Sequence, residues 1–206
     1  MSNSIQIANN ALDLLETDNL TSFDAPSDTG DVVRRHYPQA LKAALEHFPY
    51  HFAERRVALS KLAGGSDDPF FAYAYAKPAD SVAIRRLMPA EFLNDTTSLP
   101  FREANEVIYT DLDGAVAHYT TSEPVPGRFT QTFVDYLSAE LAVRLWSPLR
   151  TASVALRDLS QMRDARLMYA KAHSFNQSTF SPLRDVSDFE RSRDDVSADP
   201  RRWRYW

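Results

Sequence analysis

Apolar positions along the chain follow a helical rhythm at first, an alternating rhythm in the middle third, and the helical rhythm again after about residue 130. Ile5, Ala8, Leu12 and Leu15 repeat at helical spacing behind the capping candidates Asn3 and Ser4, which predicts a helix over about 4–16. Asp18 to Gly30 is loop chemistry, rich in Asp, Ser, Thr, Pro and Gly, and leads to a cap at Ser27 or Asp28. Val33, Tyr37, Leu41, Ala44, Leu45 and Phe48 then mark an amphipathic helix, with Asp31 one turn before Arg35. Pro38 interrupts that stripe and predicts a kink near Tyr37 or a later start, and Pro49 ends the helix.

In the middle third Phe71, Tyr73 and Tyr75 alternate with alanines, Val82 and Ile84 alternate next, and Pro69, Pro78 and Pro89 bound the runs, so short strands are expected. Residues 106–110 and 115–120 flank Asp111-Leu112-Asp113-Gly114, which predicts a hairpin. Helix resumes at the cap Thr130, with Phe129 and Val134 at staple positions and Phe133, Leu137, Leu141 and Leu145 at four-residue steps. Ser147-Pro148 reads as the start of another helix, whose buried stripe is Ala155, Leu159, Met162, Ala165, Tyr169 and Ala172, running to about His173. The expected architecture is α+β, mainly α: an antiparallel helical bundle from 1–50 and 128–174, a small β lobe inserted over 51–127, and an extended C-terminal arm over 175–206. In that arm neither period survives, six arginines balance six acids, and the chain ends Arg201-Arg202-Trp203-Arg204-Tyr205-Trp206, residue types that anchor protein interfaces.

Composition narrows what such a fold could do. The 206 residues suit one core with additions. With no cysteine, disulfides, thiolate nucleophiles and cysteine-rich zinc sites are excluded. The N-terminus lacks the pattern of a signal peptide, and no apolar run nears the roughly 20 residues that cross a bilayer, so a soluble protein without membrane partners is expected. A net charge of -5 disfavours tight binding to a phosphate backbone, though an acidic wall suits a conduit along which DNA slides.

Motifs for chemistry are sparse. Asp111, Asp113 and Gly114 resemble part of a calcium loop, but a third acid before the glycine and the later glutamate are missing, so a turn is expected. His47 and His51 have zinc-helix spacing, yet Pro49 breaks the helix that would align them. Neither a nucleophile elbow nor a phosphate loop nor a dinucleotide glycine pattern occurs, and Gly64-Gly65 reads as a flexible turn. Phe71, Tyr73 and Tyr75 could hold a sugar or base but fit sheet packing or a subunit seam better. Arg55-Arg56 and Arg85-Arg86 read as solvated faces that could meet acidic neighbours in a ring. No catalytic, metal or cofactor residue is assigned on this reading.

Several segments, in order, resemble a known family. Asn10-Ala11-Leu12-x-x-Leu15, Leu20-Thr21-Ser22-Phe23, the helix ending Leu41-Lys42-Ala43-Ala44-Leu45-Glu46-His47, and Phe52-Ala53-Glu54-Arg55-Arg56-x-x-Leu59 are similar to the N-terminal half of phage tail tubular protein A and related head-to-tail adaptors. Tyr73-x-Tyr75-x-x-Pro78-x-Asp80 and the two C-terminal helices continue the likeness, which spans roughly residues 5 to 174. Glu16 stands where these proteins often have glycine, and His47-Phe48-Pro49-Tyr50 where they often have histidine, proline and tryptophan. The resemblance implies a non-enzymatic virion protein, assembled in the host cytoplasm into a homo-oligomeric ring of twelve copies. Such a ring sits between the portal protein and the tail nozzle or tail tube, around the passing genomic DNA. On that expectation Arg201, Arg202, Trp203, Arg204, Tyr205 and Trp206 bind the portal. The alternative from another class is a small phage hydrolase using an acid pair in the β lobe.

Overall fold

The computed structural model of the chain describes residues 4–24, 26–89, 99–149 and 154–177. Their regular structure is mixed: four α-helices and two three-stranded antiparallel sheets.

Helix α1 (Ser4–Asp13) is shorter than its periodicity suggests because of how it stops. The Thr17 amide donates to the Leu12 carbonyl (3.1 Å) and the Glu16 amide to Asp13 (3.2 Å), with Glu16 itself at φ 55°. This is the reversed pairing of a Schellman turn, and Glu16 occupies its left-handed position, where glycine is favoured because it has no Cβ. Helix α2 (Asp28–Glu46) starts at the cap Ser27, whose hydroxyl accepts from the Gly30 amide at 3.0 Å, so Pro38 lies inside the helix and does not delay its start. Beyond a short 3-10 turn at His51–Ala53 the chain enters the sheets.

Strands β1 (Glu54–Ala58), β6 (Ala115–Thr121) and β3 (Ser81–Pro89) form one sheet in that spatial order; β2 (Tyr73–Ala76), β5 (Val107–Thr110) and β4 (Phe101–Ala104) form the other. The expected hairpin around Asp111–Gly114 is therefore absent: β5 and β6 belong to different sheets. Gly114, at φ 72°, does supply a left-handed turn, but the loop serves as a crossover. It is fixed by Tyr75, whose hydroxyl donates to the Leu112 carbonyl (2.7 Å) and accepts from the Gly114 amide (2.9 Å). The two-residue hairpin lies between β4 and β5, where Asn105 and Glu106 both take positive φ, as a type I′ turn requires.

Helix α3 (Gln131–Trp146) starts as expected at Thr130, which accepts from the Phe133 amide. Ser147-Pro148 does not open the next helix: Ser147 is the C-cap of α3, and α4 spans Leu156–Gln177. Pro148 sits where a missing amide does no harm to the helix behind it.

Two apolar clusters result. Around α3, the inner faces of α1, α2 and α4 meet Tyr50, Ala53 and, from β3, Val82. Between the sheets, Tyr75, Leu87, Ile108, Ala115, Ala117 and Tyr119 form the second. Strand β6 is buried along its whole length because its alternate residues go opposite ways. Ala115, Ala117 and Tyr119 enter the sheet cluster, whereas Thr120 accepts from Arg85 Nε (2.9 Å), whose guanidinium also donates to the Leu45 carbonyl at the end of α2 (3.0 Å). Arg85 thus satisfies an orphan carbonyl at the negative end of that helix.

Candidate functional site

The residues with the most chemical potential turn out to be paired with one another. Asp80 accepts from Tyr119 (2.9 Å), Thr121 (2.8 Å) and Arg55 (2.8 Å), tying the start of β3 to β1 and β6. Burial would raise its pKa, but those hydroxyls and the arginine hold it below the usual carboxylate value. Glu54 lies 3.3 Å from His118 Nε2 and 3.4 Å from His51 Nδ1. Its half-buried setting also opposes ionisation, yet the histidines outweigh that and lower its pKa. In the loops and strands around the sheets Asp68 pairs with Arg102 (2.8 Å), Glu103 with Lys77, and Asp113 with Lys61 (3.2 Å).

The other candidates separate similarly. Asp111 accepts from the Ala72 amide while Asp113 turns to Lys61, and among the described residues no group of three or more metal-type side chains could hold an ion. His47 caps α2, and His51 belongs to the following 3-10 turn and faces Glu54. Tyr75 is buried in the sheet cluster, Tyr73 packs beside it with the Lys61 ammonium 3.8 Å from its ring centre, and Phe71 precedes the strand. Arg85 is a cap instead of a solvated residue, and Arg55 is the partner of Asp80. Arg201, Arg202, Trp203, Arg204, Tyr205 and Trp206 lie outside the described residues.

What the periodicity misjudged is the side that α4 presents. Leu159, Ala170 and Ser174 are buried on its inner side, with Arg163, Arg166 and Leu167 half-buried beside them. Arg166 donates to the Asp135 carbonyl of α3 (3.1 Å), and Arg163 reaches the nearly buried Glu140 carboxylate (3.8 Å). Of the expected buried stripe only Leu159 is inside. Met162, Ala165, Tyr169 and Ala172 lie on the exposed side, joined by Met168; Met168 and Tyr169 are 68% and 72% exposed. At 100° per residue these five positions share one side of the helix, away from α3. A legible signal was there: α4 has apolar residues around most of its circumference, more than one core-facing stripe needs.

The outer side of α4 thus exposes Met162, Met168 and Tyr169, with the polar Asp158 and Gln161 between them. Elsewhere Val57 of β1 is exposed, as is Phe70, 79% exposed in the loop before β2. No helix among the described residues is long and apolar enough to cross a membrane. No protein-family model matches the sequence, and no curated protein is significantly similar to it.

Proposed function

We propose that this chain is a structural protein of a phage particle, a head-to-tail adaptor that works as a ring between the portal and the tail nozzle or tube. The observation that carries the reading is the outer side of α4, where Met162, Met168 and Tyr169 are displayed to solvent on a helix whose other side belongs to the core. A protein whose task is to be held among neighbours needs such a surface, and a monomeric enzyme does not. The ordered likeness of residues 5 to 174 to phage adaptors supports the same reading. In it the helices form a bundle that builds the ring wall, the β lobe over 51–127 faces the tail, and the chain after α4, which runs to Gln177 and so past the expected arm start at 175, docks on the portal through its Arg, Trp and Tyr end. The net charge of -5 suits a wall along which DNA must slide without being held. The hydrolase reading has no comparable support, since the sheet carboxylates described above are engaged with cations and hydroxyls.

Electron microscopy of the purified chain mixed with portal protein tests this. The expected result is a closed ring of twelve copies on one face of the portal, with the chain alone monomeric or only weakly associated because assembly is templated. Infectious particles that lack the chain, or carry it away from the vertex through which the genome leaves, would exclude the adaptor role.

A further inference from the structure

We propose that Glu54 fastens an edge strand that acid can release: its protonation frees β1, and the 3-10 turn before it, from β6.

Strand β1 has few other holds. It lies at the edge of its sheet and pairs with β6, and four of its five residues, Arg55, Arg56, Val57 and Ala58, are exposed. A strand that buries so little apolar surface opens locally at small cost unless polar contacts hold it. Glu54 supplies such a contact. Its Oε2 faces His118 Nε2 of β6 at 3.3 Å and His51 Nδ1 of the turn at 3.4 Å, so one carboxylate oxygen ties three elements together. His118 is 6% exposed and its Nε2 has no hydrogen-bond partner among the described residues, which leaves the charge of this carboxylate as what compensates its burial.

The surroundings of that carboxylate are cationic. Arg85 of β3 feels its charge while donating to the Leu45 and Glu46 carbonyls at the end of α2. Arg56 of β1 and Arg86 of β3 stand in register with His118 on either side. The Glu46 and His47 side chains at the end of α2 are exposed. Asp80, with Arg55 and Tyr119, belongs to the other face of the sheet. Among the described residues no second carboxylate pairs with either imidazole. Once Glu54 is neutral, the facing groups are positive or uncharged, and like charges repel strongly where water is scarce.

The sign follows from the carboxyl. Burial opposes ionisation of Glu54, but His118 and His51 outweigh it and hold the group below its ordinary value of 4.5. A carboxyl so depressed adds stability above its unfolded value and withdraws it as pH falls through the folded one, so release comes on the acid side of 4.5. Release bares the edge of β6, a strand otherwise buried along its length.

Hydrogen exchange of the full chain, corrected for the intrinsic effect of pH, reads this directly. Between about pH 6.5 and about pH 3.5 the β1 amides bonded to β6 are expected to lose at least about ten-fold more protection than the amides of α3. Unchanged β1 protection, or an equal loss in both elements, overturns the release. Glu54→Gln should leave β1 weakly protected at both pH values; a loss with acid as large as in the wild type would assign the trigger to Asp80 and overturn the role of Glu54. His118→Gln keeps a polar side chain and leaves the carboxyl in place, so it reports even where Glu54→Gln does not fold. In it the acid midpoint of β1 release is expected to move up toward 4.5, and an unmoved midpoint overturns the pairing. None of these measurements needs portal or ring, so their failure leaves the adaptor role standing.

Discussion

Helices α3 and α4 are packed neighbours of 16 and 22 residues, yet one is enclosed and the other is half bare. Ten residues of α3, from Phe133 to Leu145, are buried, on every side of the helix, including the polar Ser138 and Glu140. Their polar atoms are satisfied locally: Ser138 donates to the Val134 carbonyl (2.8 Å) and Glu140 accepts from Arg144 (2.7 Å). On α4, Met168 and Tyr169 stand in water although their side chains are as apolar as many of those around α3. The same chemistry is enclosed where three helices converge and left exposed where only one side is covered.

The largest effect expected is at the centre of the enclosed helix. Phe133 makes edge contacts with Tyr50 (4.7 Å) and Phe129 (5.0 Å) and a tilted one with Phe52 (4.8 Å), and it is fully buried. Phe133→Ala removes these contacts and leaves a cavity, at a cost of about 3–5 kcal/mol in chemical denaturation. A loss below about 1 kcal/mol would show that α3 is not the hub, and the contrast with α4 would lapse.

Much of this was legible in the sequence, for physical reasons that differ by element. Thr130 and Ser27 announce α3 and α2 because a side-chain oxygen before an apolar period has a local partner, a free amide within the first turn. The Asp113-Gly114 pair misled because left-handed geometry fixes a turn but not what the strands on either side pair with. That choice was made by distant residues, Tyr75 among them. Periodicity likewise marked α4 as a helix but could not say which of its apolar sides faces the core, since both carry residues of the same kind. The α4 surface was visible only once α3 had taken the Leu159 side.

A smaller effect of opposite sign is expected from Tyr50, which packs against α3 through Phe133. Its hydroxyl is buried without a hydrogen-bond partner among the described residues, and burial pushes its pKa well up. That oxygen has lost its hydration with no partner among the described residues to repay it. Tyr50→Phe keeps the ring contacts and should raise stability by about 1 kcal/mol, seen as a higher melting temperature. Destabilisation would mean that the hydroxyl is satisfied and that the enclosure of α3 is less dry than it looks.

Comparable in size is Glu16→Gly. At φ 55° a Cβ crowds the backbone, and the turn at the end of α1 needs that conformation to pair Thr17 with Leu12. Glycine should add about 1 kcal/mol to stability. A higher melting temperature is the expected result, and an unchanged or lower one would mean that the left-handed backbone at Glu16 carries no strain for glycine to relieve.

The smallest effect on folding is expected where the apolar side chains are most exposed. In chain kept dilute and free of portal, Met168→Ser with Tyr169→Ser removes two large groups that already face water, so little transfer free energy is lost, and surface substitutions of this kind fall within about 0.5 kcal/mol each. If the chain works as the proposed ring, the pair of serines separates folding from association: the melting temperature should hold while ring formation on portal is lost. A fall of 2 kcal/mol or more in the dilute chain would place Met168 and Tyr169 in the chain's own core. The difference between α3 and α4 would then be one of degree, and the partner-facing role of α4 would have no basis.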